Sequence, residues 1–297
     1  MLATDQSPYA LALSFGTLDA RVGVSILKEN GGSIALHDTD YIRQHYNTVT
    51  ACSIDSAQPF SLFGVQGPSS IFVALGGDDG LVTIWRLHEA IKTSARFALL
   101  RTQEVKPTVE LVQVLTGLKA KVEVVCVNAA LQLVATIDAA GQLYLHSTRD
   151  GQYLREIALK QALEGVLRGS YRSLHAEALC STTLGEVIVL LRYKQDHKTK
   201  RMLVLFGDTL KVLGSQLIEE EDILPTLYCS QDGEKAVYCH KQGFRITSIH
   251  KEFEAIQKIE CKPPCAYTCF TVSPDEQVLL AGLEDGSLIA FGLLGGL

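Results

Sequence analysis

The residues best suited to chemistry in this chain are three cysteines four apart, Cys261, Cys265 and Cys269, in the run CKPPCAYTC. Thiolates hold zinc, but a structural zinc takes four ligands and usually closer C-x2-C pairs. The nearest candidates for a fourth ligand are Cys239, His240 and His250. A spacing of four puts the three thiols on one face of a strand, and Pro263-Pro264 interrupts that regularity. The thiols therefore read as core cysteines at a junction, with no metal expected. The eight histidines are scattered, and none forms an HExxH pair. There is no GxSxG elbow, phosphate loop or glycine-rich dinucleotide motif. Gly31-Gly32 and Gly76-Gly77 read as turn glycines. The expectation is a protein with no catalytic residues and no cofactor.

Charge offers two further sites. Arg192, Lys194, Lys198, Lys200 and Arg201 crowd one hairpin tip, and Glu219, Glu220, Glu221 and Asp222 form an acidic run. Both have an ordinary reading as solvated loops. The sharper reading makes them partner-contact patches, the acids meeting a basic partner or the basic tip itself. Rim charges of this kind set association rate and partner choice more than affinity. Near an anionic lipid surface the tip would gain about 1 kcal/mol per basic side chain.

Composition bounds the rest. The 297 residues are 47% apolar and 20% charged, which fits an ordered globular chain. A net charge of −6 argues against nucleic acid as the main partner, because phosphate binding needs a dense basic field. No apolar run approaches the ~18 residues of a membrane span. The start, MLATDQSPYA, is a poor secretory signal. Eight cysteines in so long a chain do not make a disulfide scaffold. Cys52, Cys126, Cys180 and Cys229 sit inside apolar runs and read as reduced core residues of a cytoplasmic protein.

The elements that must position these groups come from a repeat. An apolar run, a tight turn and a second apolar run recur at Leu13–Ile26, Val73–Leu87, Val134–Ser147, Leu179–Tyr193, Ala236–Ile249 and Leu279–Leu293. The turns carry Asp19-Ala20, Asp79-Gly80, Ala140-Gly141, Leu184-Gly185, Gln242-Gly243 and Asp285-Gly286. Strand pairs at such intervals mark a β-propeller, whose four-stranded blades take about 40–45 residues each. Each pair is expected to be the two middle strands of a blade. The whole chain reads as one all-β propeller of about six blades, with seven or an incomplete ring as alternatives. The blade units fall near 9–30, 49–88, 122–159, 173–217, 224–260 and 265–294, with an insertion at 88–110.

First strands are expected at Val49–Ile54, Val122–Asn128, Ser173–Ala178, Leu224–Ser230 and Ala266–Val272. Outermost strands are expected at Tyr153–Ala158, Leu203–Phe206 and Ala255–Ile259. The segment Glu89–Leu100 spaces Ile91, Ala95, Ala98 and Leu99 for a short helix. The first blade reads as lacking its innermost strand and the sixth its outermost. That pattern implies a C-terminal fragment of a larger protein, unless residues 1–8 supply the missing strand.

The stretch Gly76-Gly77-Asp78-Asp79-Gly80-Leu81-Val82-Thr83-Ile84-Trp85 resembles a WD repeat. The resemblance implies a hydrogen-bond network within the blade, with His45, Asp79 and Trp85 at matching positions. Its hydroxyl should fall near Leu75 or Gly77, and neither supplies one. The order of blades is more specific. Leu115-Thr116-Gly117, Val122–Val127, Leu131–Ala135, Gly141–His146 and Gly151–Arg155 resemble the C-terminal propeller of the BEACH proteins, of the neurobeachin and beige kind. So do Asp232-Gly233, Gly243, Phe253, Gln257, Val272-Ser273-Pro274-Asp275, Gly282, Asp285-Gly286-Ser287 and Ala290-Phe291. The resemblance implies a non-catalytic scaffold in vesicle or endolysosomal traffic, peripheral to membranes through a larger parent and docking other proteins on its loop faces. The alternatives are a standalone adaptor of another complex and a propeller-fold hydrolase or lyase. The latter needs convergent acids or histidines on the inner strands, which read mostly apolar.

Overall fold

The computed structural model describes residues 2–3, 9–15, 22–28, 33–35, 48–57, 70–91, 105–167, 170–219, 223–251, 253–261, 265–273 and 276–293. The strands are β1 Leu2–Ala3, β2 Tyr9–Phe15, β3 Val22–Lys28, β4 Ser33–Ala35, β5 Val49–Ala57, β6 Ser70–Gly77, β7 Val82–Ile91 and β8 Val105–Leu115. They continue as β9 Val122–Asn128, β10 Leu133–Asp138, β11 Gln142–Ser147, β12 Tyr153–Ala158, β13 Arg172–Ser181, β14 Val187–Gln195, β15 Lys198–Phe206 and β16 Val212–Ile218. The last are β17 Leu227–Cys229, β18 Lys235–His240, β19 Gly243–Ser248, β20 Glu254–Glu260, β21 Tyr267–Val272, β22 Val278–Leu283 and β23 Leu288–Gly292. One short helix, α1 Leu159–Ala162, follows β12.

Among the described residues these strands form five four-stranded sheets and a three-stranded sixth, β21-β22-β23, each antiparallel and in chain order. The first strands β5, β9, β13 and β17 lie against one another in succession. The cores lie between sheets. Val134, Val125 and Val127 of the third sheet pack with Ala74, Val82 and Ile84 of the second. The opposite face of the third, Ala135, Ile137, Leu143 and Leu145, packs with Val189, Leu191 and Val204 of the fourth. Alternate residues of one strand thus serve two different cores, and the fold is a β-propeller of small antiparallel sheets.

Three expectations are corrected by the strand order. In the fourth sheet the Leu184-Gly185 turn joins the first and second strands, not the two middle ones. Leu203–Phe206 accordingly belongs to the third strand, β15, and the outermost is β16. The middle turn is Asp196-His197, both residues at positive φ, 50° and 63°. No glycine marks it, because Asp and His tolerate the left-handed region better than most residues. The third correction concerns Glu89–Ile91, which is strand and not helix. Its ladder runs Glu89 to Pro107 and Ile91 to Val105, so the insertion begins as an extended hairpin. The remainder, 92–104, lies outside the described residues. At the other end of the chain, β1 pairs with β2 through Leu2–Leu11 and Ala3–Ala10, so residues 2–3 supply a fourth strand to the first sheet.

Candidate functional site

The basic hairpin is the element in which strand length, burial and charge all change together. Gly233 of the fifth sheet approaches Thr183, and Gly185 approaches Leu131 and Leu133 of the third. The first turns of the third, fourth and fifth sheets are therefore level. From that level β14 and β15 run nine residues each, whereas β10, β11, β18 and β19 run six. The extra residues carry the hairpin about 10 Å beyond both neighbouring sheets at a strand rise of about 3.3 Å.

The two faces of the overhang differ. Val187–Phe206, Val189–Val204, Leu191–Met202 and Tyr193–Lys200 are cross-strand partners on one face, and it stays apolar out to buried Tyr193. The connection after β12 covers it there. Leu163 and Leu167 join the same core, and the Tyr171 ring meets Tyr193 edge to face with centroids 6.2 Å apart. The other face runs Ile188–Leu205, Leu190–Leu203, Arg192–Arg201 and Lys194–Thr199. Its first two pairs pack against Ala236 and Tyr238 of the fifth sheet. Beyond Leu190 the next row is Arg192 and Arg201, continued on β16 by Ile218, which is buried in the same core with Ile223.

Arg192 and Arg201 face each other directly, and like charges at that spacing repel. Glu177 answers them. It bulges out of β13 between Ala176 and Ala178, with its carboxylate 2.8 Å from Arg192 Nε and 2.6 Å from Arg201 Nε. Lys200 Nζ donates to Gln195 Oε1 at 2.9 Å. Lys194 and Lys198 are exposed. So is Arg172, the register partner of Lys194 on β13. Sequence reasoning missed Arg172 and Glu177, because only the pairing of β13 with β14 brings them to the tip. Exposed Glu219 follows Ile218, whose partner is Arg201, so the first residue of the acidic run stands at the same end of the sheet. Glu220, Glu221 and Asp222 lie outside the described residues.

The positions of the WD-type network divide likewise. His45 lies outside the described residues. Asp79 holds its own turn by accepting from Leu81 N–H at 3.0 Å. Trp85 is buried, and its Nε1–H donates to Thr83 Oγ1 at 3.1 Å. A hydroxyl is thus present, two residues before the tryptophan on the same strand. The third sheet builds a separate polar core on Asp138. Its carboxylate accepts from the N–H groups of Lys119, Ala140 and Gln142 and from the Tyr144 hydroxyl, at 3.0–3.2 Å. Burial, with Asp138 beside it, pushes the Tyr144 phenol up to about 12.

Side chains also fasten neighbouring sheets. Asp55 accepts from Ala129 N–H at 2.8 Å, Asn128 Nδ2 donates to Thr182 O at 3.0 Å, and Tyr228 Oη donates to Glu276 at 3.1 Å. Glu123 meets His175 Nδ1 at 2.7 Å across β9 and β13, so the inner strands carry more acid and histidine than they read. Cys180 is buried, Cys126 and Cys229 are half-buried, and Cys52 is exposed, against its expected place in the core. Cys261 and Cys265 are half-buried and Cys269 is exposed. Among the described residues no three of His, Cys, Asp and Glu gather as a metal site, and no helix is long and apolar enough to cross a membrane.

By fold the chain is a β-propeller. No protein-family model matches it.

Proposed function

We propose that this propeller is a non-catalytic scaffold that docks other proteins on its loop ends. One observation carries the reading. A hairpin three residues longer than the strands of the neighbouring sheets carries a cluster of basic residues to its tip, with Glu177 paired to two of them. Binding surfaces of this kind are loops and hairpins positioned by a packed framework. The sequence likeness to BEACH-type propellers supports a place in vesicle or endolysosomal traffic. In that setting the chain works in the cytoplasm as the C-terminal part of a larger protein, peripheral to the membrane. Lys194, Lys198, Lys200, Arg192 and Arg201 are the proposed contact patch, with Glu219 at the same end of the sheet and Glu220, Glu221 and Asp222 following it in sequence.

An antibody against the Cys261–Leu297 tail, used on a denaturing gel of native tissue, tests the trafficking assignment. A band several times larger than 32.4 kDa is the expected result. A single band at 32.4 kDa would remove the larger parent and leave a standalone adaptor.

A further inference from the structure

We infer that Cys180 and Cys229 form a thiol pair that a hydroperoxide converts to a reversible disulfide, joining the inner strands of the fourth and fifth sheets. Cys180 stands near the end of β13 with Ile188 as its cross-strand partner, and Cys229 ends β17 opposite Ala236. Ile188, Ala236 and Cys180 share the core between these two sheets, and Cys229 packs against it. The strands β13 and β17 lie against each other. The turns that follow them also meet, where Gly233 approaches Thr182 and Thr183. The two strand ends are therefore at one height, and the two thiols are within hydrogen-bonding reach of each other. Cys126 on β9, the strand on the other flank of β13, is a third thiol in the neighbourhood and the competitor that the experiment has to separate.

Burial, followed by the neighbouring Cys229, pushes the Cys180 thiol well above its ordinary value, and a buried, protonated thiol is inert by itself. Cys229 is half-buried and gives a small hydroperoxide its point of entry. With hydrogen peroxide, the O–O bond breaks, one oxygen passes to the Cys229 sulfur as a sulfenic acid, and the first water leaves. The Cys180 sulfur then attacks the Cys229 sulfur. The S–S bond forms, the S–O bond breaks, and the departing hydroxide takes the Cys180 proton as the second water. The two thiols together lose two electrons and two protons, and one peroxide gains them. A dithiol reductant reverses the link by exchange.

Peptide mapping of the full chain under non-reducing conditions tests this. The reduced protein is treated with hydrogen peroxide, the remaining thiols are alkylated, and the digest is read by mass spectrometry. A peptide pair joined through Cys180 and Cys229 is expected, and dithiothreitol should release it. Because a cross-link removes conformations from the unfolded chain, the melting midpoint should rise by about 3 °C or more and return on reduction. Cys229→Ser should abolish the link and Cys126→Ser should leave it, and a melting curve confirms that each variant folds. Linkage through Cys126, sulfinic acid at Cys229 without a link, a lower midpoint on oxidation, or free Cys180 under conditions that oxidise exposed Cys52 and Cys269 would each overturn the assignment. So would a link that forms equally fast in concentrated urea, where the packing of β13 on β17 is lost. None of these results bears on partner docking or on the size of the parent protein, so the scaffold reading fails or stands separately.

Discussion

Where a buried polar group is held by a single partner, removing that partner leaves it stranded. Trp85 Nε1–H has Thr83 Oγ1. Thr83→Val keeps the shape and removes the acceptor, which should cost about 1–3 kcal/mol for an unpaired buried donor. Chemical denaturation of Thr83→Val against Thr83→Ser checks this, since serine restores the oxygen. His146 is a different case. It is buried on the face shared with Val134, and burial holds its pKa below the usual value of about 6.5. The native state therefore favours the neutral ring, and the unfolded chain binds the extra proton. Stability is fully present above about pH 6.5 and falls as pH drops below it. His146→Gln should flatten that slope in urea titrations run between about pH 7 and 5; an unchanged slope would assign the acid sensitivity to other groups.

At the scale of strands and turns, legibility followed glycine. Gly80, Gly141 and Gly286 stand in turns between second and third strands and Gly243 opens the third strand directly after one, all at positive φ, and the sequence placed those pairs correctly. Gly185 is also at positive φ, but its turn lies one strand earlier. The true tip of that sheet uses Asp196 and His197, for which the sequence offers no glycine signal. The consequence is measurable. Left-handed backbone costs an L-residue roughly 1 kcal/mol or more, and Asn-Gly suits such a two-residue turn. Asp196→Asn with His197→Gly should stabilise the chain by about 0.5–1 kcal/mol, read as a rise in denaturation midpoint. Glu177 shows the opposite sensitivity. Glu177→Gln leaves Arg192 and Arg201 facing each other without an anion. Because both arginines retain solvent contact, the loss should be about 1–2 kcal/mol, below that of a fully buried pair. Raised salt should recover part of it by screening the repulsion. A Glu177→Gln chain as stable as the parent at low salt would show that the bulge serves geometry alone.

For the whole molecule, the pattern of apolar runs was enough to indicate repeated strand pairs, because the third, fourth and fifth sheets bury both faces against neighbours. It also led to the expectation of a sixth blade without an outermost strand, and among the described residues that sheet has three strands. The third strands β11 and β19 are buried along most of their length, under the fourth strands β12 and β20. In the sixth sheet the third strand is β23, with the apolar sequence LIAFG, and no fourth strand accompanies it among the described residues. Leu288 on this strand is 74% exposed. An exposed leucine on an apolar strand offers a greasy contact to another chain. The isolated protein should therefore self-associate as its concentration rises. Leu288→Lys places a charge on that edge, where natural sheets use lysine for the same purpose, and should shift sedimentation toward monomer without lowering the melting temperature. If association is unaffected by Leu288→Lys, the contact lies elsewhere. If Leu288→Lys lowers the melting temperature, Leu288 is covered in solution and β23 is not an open edge.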